Sequence, residues 1–143
     1  MRFMILVKAT PGTEAGVMPE EALFAKMHRY HAELAAAGLL LDASGLKPSR
    51  EGWRVRYDGE SSTVVDGPFV ETKELVAGYT ILQAATREEA IAWTRRFPNP
   101  SIDGGAAEIE VRPFYELEDF APSEAIDGFR ALQQDFVTQP RKA

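Results

Sequence analysis

The sequence predicts an α+β sandwich, and three observations carry that prediction. Arg2 to Lys8 and Leu75 to Ala84 are apolar on both alternating sets of positions, as strands covered on both faces are. Two segments with helical periodicity, Pro19 to Ala37 and the stretch opened by Thr86, each separate extended runs. Between them lies Asp58-Gly59, a strong hairpin signal flanked by β-rich residues.

Taken in order, Phe3, Ile5 and Val7 alternate with Met4 and Leu6 in the first strand. The following "ATPGTEAGVMP" reads as a loop from its Gly, Pro and Thr content. Pro19 suits a first helical turn, and Glu20 and Glu21 sit at the positive end of the dipole. Leu23, Met27, Tyr30 or His31, and Leu34 then form one stripe, and Gly38 stops the helix. Leu39 to Asp42 is extended. Trp53 to Tyr57 and Ser62 to Val65 make the hairpin. Thr86-Arg87-Glu88-Glu89 reads as a capping box for a second helix that ends near Phe97-Pro98. Ala107 to Tyr115 is the last strand, with Glu108, Glu110 and Arg112 on one side and Ile109 and Val111 on the other.

Strand, helix, strands, helix, strand is the order of a ferredoxin-like βαββαβ sandwich. Right-handed crossovers place both helices on one side of the sheet. The other side is left bare although its strands are apolar there, and so large an exposed patch is unusual for a monomer. A second copy, packed sheet against sheet, is the simplest cover. The expectation is therefore a homodimer with a cavity between its sheets. After Glu116 a tail departs, in which Ser123 caps a short amphipathic helix bearing Ile126, Phe129, Gln133 and Phe136 on one face; "QPRKA" reads as a frayed end.

Composition narrows the function. The 143 residues suit one domain plus a tail, expected at 1–120 and 121–143. A net charge of −6 and the lack of a basic, aromatic-studded run disfavour nucleic acid. The absence of cysteine removes thiolate chemistry and disulfides and fits a reducing, cytoplasmic compartment. The apolar run Phe3 to Val7 is too short for a signal segment or a membrane span. No phosphate loop, nucleophile elbow or dinucleotide fingerprint is present, so no cofactor is expected. Two histidines at this spacing match no standard metal site.

The stretch "DGPFVETKE", from Asp66 to Glu74, closely resembles the Asp-Gly-Pro-Phe-x-Glu-x-Lys-Glu signature of the DGPF family, which belongs with the YCII-related proteins. "MRFMILV", "AAAGLL", "GLKP" and "EVRPF" extend the resemblance over about residues 1 to 120. It implies a ferredoxin-like fold that dimerises into an α+β barrel, and an association of some members with extracytoplasmic-function sigma factors. It also implies a histidine and an aspartate in a cleft; His28 and His31 lie on the first helix here, and Asp42 is the nearest aspartate that follows. The tail after Phe120 lies outside the resemblance and is expected to act as a dimer clasp.

Candidate residues follow from chemistry and position. Asp66, Gly67, Pro68 and Phe69 make a turn by their backbone preferences, with Phe69 as an anchor. If that turn aims Asp66 into the cavity, Glu71, Lys73 and Glu74 complete a polar wall. The acid–base candidates are Asp66, Glu71, His31 and Glu110, with Lys73 and Arg112 holding an anionic group. Each has a plain alternative: a salt bridge among Lys73, Glu71 and Asp66, a hydrogen-bonded core residue for His31, a solvated edge for Glu110 and Arg112. Trp53 and Trp93 read as packing residues. Two functions remain open: a cofactor-free small-molecule enzyme using the inter-sheet cavity, and a non-catalytic ligand-binding or regulatory dimer linked to a sigma factor.

Overall fold

In the computed structural model, residues 1–138 are described, with side-chain surroundings up to residue 135. The "QPRKA" end and the Phe136 side chain of the expected stripe lie outside that range. The chain divides into two compact units, the first Met1–Pro113 and the second beginning at Phe114.

The first unit is built on four antiparallel strands: β1 (Arg2–Lys8), β2 (Leu40–Gly45), β5 (Val76–Gln83) and β6 (Ile109–Pro113), in the order β2-β5-β1-β6. With the helices α2 (Glu21–Ala36) and α3 (Arg87–Thr94) as crossovers, this is the ferredoxin-like arrangement. The register sorts side chains onto two faces. Phe3 lies opposite Leu82 and Ile5 opposite both Thr80 and Val111. These residues, with Ala84 and Ala90, form the core beneath the helices. Met4, opposite Ile81 and Arg112, and Leu6, opposite Tyr79 and Glu110, occupy the other face. The expected alternation of β6 is thus observed: Ile109 and Val111 pack on the core, and the charged residues point away.

Both helices lie on the same side. Tyr30 of α2 packs edge-on against Trp93 and Phe97, and its hydroxyl donates to the Trp93 carbonyl at 2.9 Å. The α2 stop follows from Gly38, at φ +75°, which lets Gly38 N–H reach Ala35 O and Leu39 N–H reach Leu34 O. The helix starts at Glu21 with Glu20 as N-cap and no side-chain cap bond, so Pro19 precedes the first turn it was expected to occupy. At α3, Thr86 Oγ accepts from Glu89 N–H, but the Glu89 carboxylate accepts from Ala85 N–H, so the box closes one residue early.

The structure also departs from the sequence reading at Pro11–Glu14 and at the hairpin. Pro11–Glu14, expected as loop, forms the short helix α1, because Thr10 and Thr13 cap one another reciprocally and Pro11 occupies the first turn. The hairpin strands β3 (Trp53–Asp58) and β4 (Ser61–Asp66) pair only with each other, turning at Gly59 with φ +60°. On that ribbon Trp53 is 65% and Tyr57 78% exposed, so Trp53 is not the packing residue expected; among the described residues no third strand pairs with the ribbon.

In the second unit, a 3₁₀ turn at Leu117–Asp119 precedes α4 (Glu124–Thr138). Ser123 Oγ accepts from Ile126 N–H, the cap its position predicts. No described helix is long and apolar enough to cross a membrane.

Candidate functional site

A cleft of about 740 Å³ opens at the end of the sheet where β1 finishes. Three separate segments build it. Lys8 and Thr10 lead from β1 into α1; Lys73 comes from the signature; Ser101, Asp103 and Glu108 come from the loop before β6. The walls between these polar groups are small or apolar, including Pro11, Val17 and Ile102.

The polar groups are not equally available. Thr10 is occupied in capping α1. Asp103 accepts from the Ser101 hydroxyl and from Gly105 N–H, and these bonds, the Ser101 bond first, lower its pKa. Its carboxylate therefore shapes the loop. Lys8, whose side chain is only 20% exposed, stands 3.8 Å from a Glu110 carboxylate oxygen. Lys73 is exposed and has no ion-pair or hydrogen-bond partner among the described residues. The expected salt bridge of Lys73 with Glu71 or Asp66 is not formed. That leaves a cation presented to the cleft.

The signature loop explains how Lys73 gets there. Gly67 N–H donates to Gly52 O at 3.0 Å, tying the loop to the base of the hairpin. A Cβ on Gly67 would sit 1.8 Å from the Ser49 carbonyl oxygen, so only glycine fits. Gly67-Pro68 is cis. Phe69 N–H donates to Ser49 Oγ, and the Arg54 guanidinium covers the Phe69 ring at 3.8 Å. The loop is held by these contacts, but Phe69 lies under a guanidinium and not in the core where it was expected. A single 3₁₀ turn, Thr72–Glu74, then carries Lys73.

The six residues expected to share one cavity are not gathered together. His31 faces the helix side: Nε2 lies 2.7 Å from Thr80 Oγ and Nδ1 2.7 Å from Met27 O. Its neighbours are Tyr30 and Phe97. Glu110 and Arg112 lie on the opposite face of the same sheet. Asp66 and Glu71 are exposed and have no side-chain partner among the described residues. Lys73 lines the cleft, and Glu110 reaches it through Lys8. The histidine–aspartate pair does not form within the chain either: His28 is exposed on α2, while Asp42 is on the bare face, accepting from Tyr79 Oη at 3.0 Å. Sequence reasoning missed Lys8, Ser101 and the Tyr79–Asp42 pair. For Lys8 the signal was a charge at the end of an otherwise apolar strand. Among the described residues, no three His, Asp or Glu side chains converge as a metal site requires.

Comparison with known proteins now decides the family. The model of the YCII-related domain matches residues 1–115. The chain belongs to the YCII-related family. An uncharacterised protein of Rhizobium meliloti (strain 1021) is 30% identical over 80 residues, a match spanning 56% of this chain and 64% of that protein. Among solved structures, 5-chloro-2-hydroxyhydroquinone dehydrochlorinase (TftG) from Burkholderia phenoliruptrix AC1100, in complex with 2,5-dihydroxybenzoquinone, superposes with a TM-score of 0.44 at 16% identity. That match covers 80% of this chain and 94% of the dehydrochlorinase. Strand order, not that superposition, identifies the fold here.

Proposed function

We propose that this YCII-related protein binds a small anionic organic molecule in the Lys8–Lys73 cleft, and that it does so as a homodimer. One observation carries the binding reading: two lysines from distant segments line one cleft, and Lys73 has no anion of its own among the described residues. A space of about 740 Å³ takes a metabolite-sized ligand. Lysine ammonium groups suit a carboxylate or phosphate as point charges. The net charge of −6 disfavours nucleic acid, and the cysteine-free chain is in keeping with a cytoplasmic setting. The dimer is supported by Met4, Leu6, Tyr79 and Ile81, which give the sheet face away from the helices an apolar centre. Arg112, beside Met4 on that face, would then line the space between the sheets.

Catalysis without a cofactor is a second reading, favoured by one distance. The Glu110 carboxylate lies 3.8 Å from the Lys8 amine. A carboxylate so close to the group that holds the ligand's anion can accept a proton from the adjoining part of that ligand. Asp66 and Glu71 would enter only if the ligand reached past Lys73. The regulatory alternative, a ligand-sensing dimer coupled to a sigma factor, uses the same cleft without turnover.

Calorimetric titration with inorganic phosphate and with benzoate tests binding. Lys8→Ala and Lys73→Ala are each expected to weaken it about tenfold, the scale of one charge-assisted contact. Heats from neither anion, or heats unchanged in both variants, overturn the reading. Light scattering that reports a monomer at micromolar concentration removes the dimer. Incubation of stabilising metabolites with the protein, followed by NMR, separates the two readings: consumption means an enzyme, and unchanged ligand means a sensor.

A further inference from the structure

Two motifs that stand far apart in the sequence, the "GLKPS" turn and the "DGPF" loop, meet at one side chain. Ser49 sits between them and α1. Its N–H donates to Glu14 Oε1 at 2.9 Å, and its hydroxyl donates to Glu14 Oε2 at 2.6 Å. The same hydroxyl accepts from Phe69 N–H at 3.0 Å. A directional relay results: Phe69 amide to Ser49 hydroxyl to Glu14 carboxylate. Its two ends adjoin two segments that line the cleft. Glu14 closes α1, whose Pro11 and Gly12 are lining residues, and Phe69 stands four residues before the lining residue Lys73.

Neighbouring contacts reinforce the join. Arg50 Nη1 donates to Glu14 O at 3.2 Å. The guanidinium reaches that carbonyl across Gly16, at φ +78°, where a Cβ would lie 2.6 Å from Arg50 Nη2. On the other side the Ser49 carbonyl fills the space a Gly67 side chain would need. The glycine of the signature is therefore a seat for the 48–51 turn.

We infer that Glu14 and Ser49 are positioning residues for the cleft, and that the relay from Glu14 through Ser49 to Phe69 sets how Lys73 faces α1. The inference rests on the proposed binding role of the cleft but makes a separate claim about its walls. Neither residue lines the cleft, so neither touches the ligand. A carboxylate that accepts two bonds from one serine, while that serine holds a backbone amide, leaves the join little play. Glu14→Gln keeps the shape but has only one oxygen for the two donors. Ser49→Ala removes the hydroxyl that joins Glu14 to the Phe69 amide. Ser49→Thr retains it.

The test uses the full chain with its lysines reductively methylated with ¹³C, alongside amide hydrogen exchange. In the wild type, inorganic phosphate is expected to move the Lys8 and Lys73 methyl signals. Glu14→Gln and Ser49→Ala should weaken phosphate about tenfold and speed exchange of the Phe69 amide about tenfold, with β5 amides unchanged. Ser49→Thr should restore both readouts. Wild-type phosphate affinity and Phe69 exchange in both variants would overturn the inference, as would uniformly faster exchange through β5, which marks a general loss of stability. If the wild type binds no phosphate, the cleft reading fails, and the Phe69 exchange and the ligand-free Lys73 signal still decide whether the relay sets the wall.

Discussion

On the helix side of the sheet, His31 has both ring nitrogens within 2.7 Å of a partner; at the Lys8 end, Lys73 has no partner among the described residues. The contrast extends around each residue. Thr80, which faces His31, is buried, and so is Tyr30 beside it. Among the described residues no buried side-chain nitrogen or oxygen is left without a hydrogen bond. A polar group in that region is there because the core requires it, since an unpaired one costs about 1–3 kcal/mol. At the cleft, exposure removes that requirement, and a charge can stand unpaired and available. Yet the loop leading to Lys73 is itself held, through Gly67, Ser49 and Glu14. Availability of the side chain and rigidity of its support are separate properties, and a binding site needs both.

The most severe way to break the comparison is Gly67→Ala. If the cleft side were loose surface, the change would be tolerated. A Cβ only 1.8 Å from a carbonyl oxygen is instead expected to cost about 3 kcal/mol or more, read from urea unfolding. A loss under about 1 kcal/mol would mean that the loop simply moves aside. Next in size is His31→Ala, which leaves the Thr80 hydroxyl buried without its partner and opens a hole beside Tyr30 and Phe97. It should cost about 2–3 kcal/mol and leave phosphate binding unchanged. Altered binding with intact stability would move His31 from the core to the function.

Tyr30 sharpens the helix side through pH. Burial pushes its pKa up to about 12 from 10.0, against a smaller lowering by the Arg96 guanidinium. The folded pKa is raised, so the stabilisation is fully present below pH 10 and is lost as pH rises from about 10 to about 12. The shift corresponds to about 3 kcal/mol. Tyr30→Phe is expected to start about 1 kcal/mol below wild type at neutral pH, for its lost bond to Trp93 O, and to overtake it above pH 11 or so. Parallel pH curves for the two proteins would contradict this. The smallest expected change is the stability of Lys73→Ala, within about 0.5 kcal/mol of wild type by the same unfolding assay. A larger loss would reveal a structural partner for that amine.

The sequence made some of this legible through local rules. Asp58-Gly59 turns where its dipeptide says it should, because glycine reaches positive φ without penalty. Gly38 ends α2 and Ser123 caps α4 for reasons contained within five residues. The α1 helix was missed although Thr10-Pro11 is a start signal, since four residues carry no periodicity to confirm it. Lys73 stood out by motif, while its companions Lys8 and Ser101 did not, being 65 and 28 residues away from it along the chain (73 − 8 and 101 − 73). The supposed unity of His31 with Glu110 failed because helix periodicity places His31 on an apolar stripe but does not say which strand residue meets it.

By itself the sequence determined the main strands and helices apart from α1, their order and the two-sided apolar character of β1 and β5, because alternation, caps and turns act over short range. It also determined that the opposite sides of β6 would differ. Only the tertiary structure decided that Ser49 docks where Gly67 lacks a side chain, and that Lys8 and Lys73 share a cleft. Those pairings depend on which strands become neighbours and on how closely two backbones approach. Such distances are set by packing across the whole sheet, and no local stretch of residues encodes them.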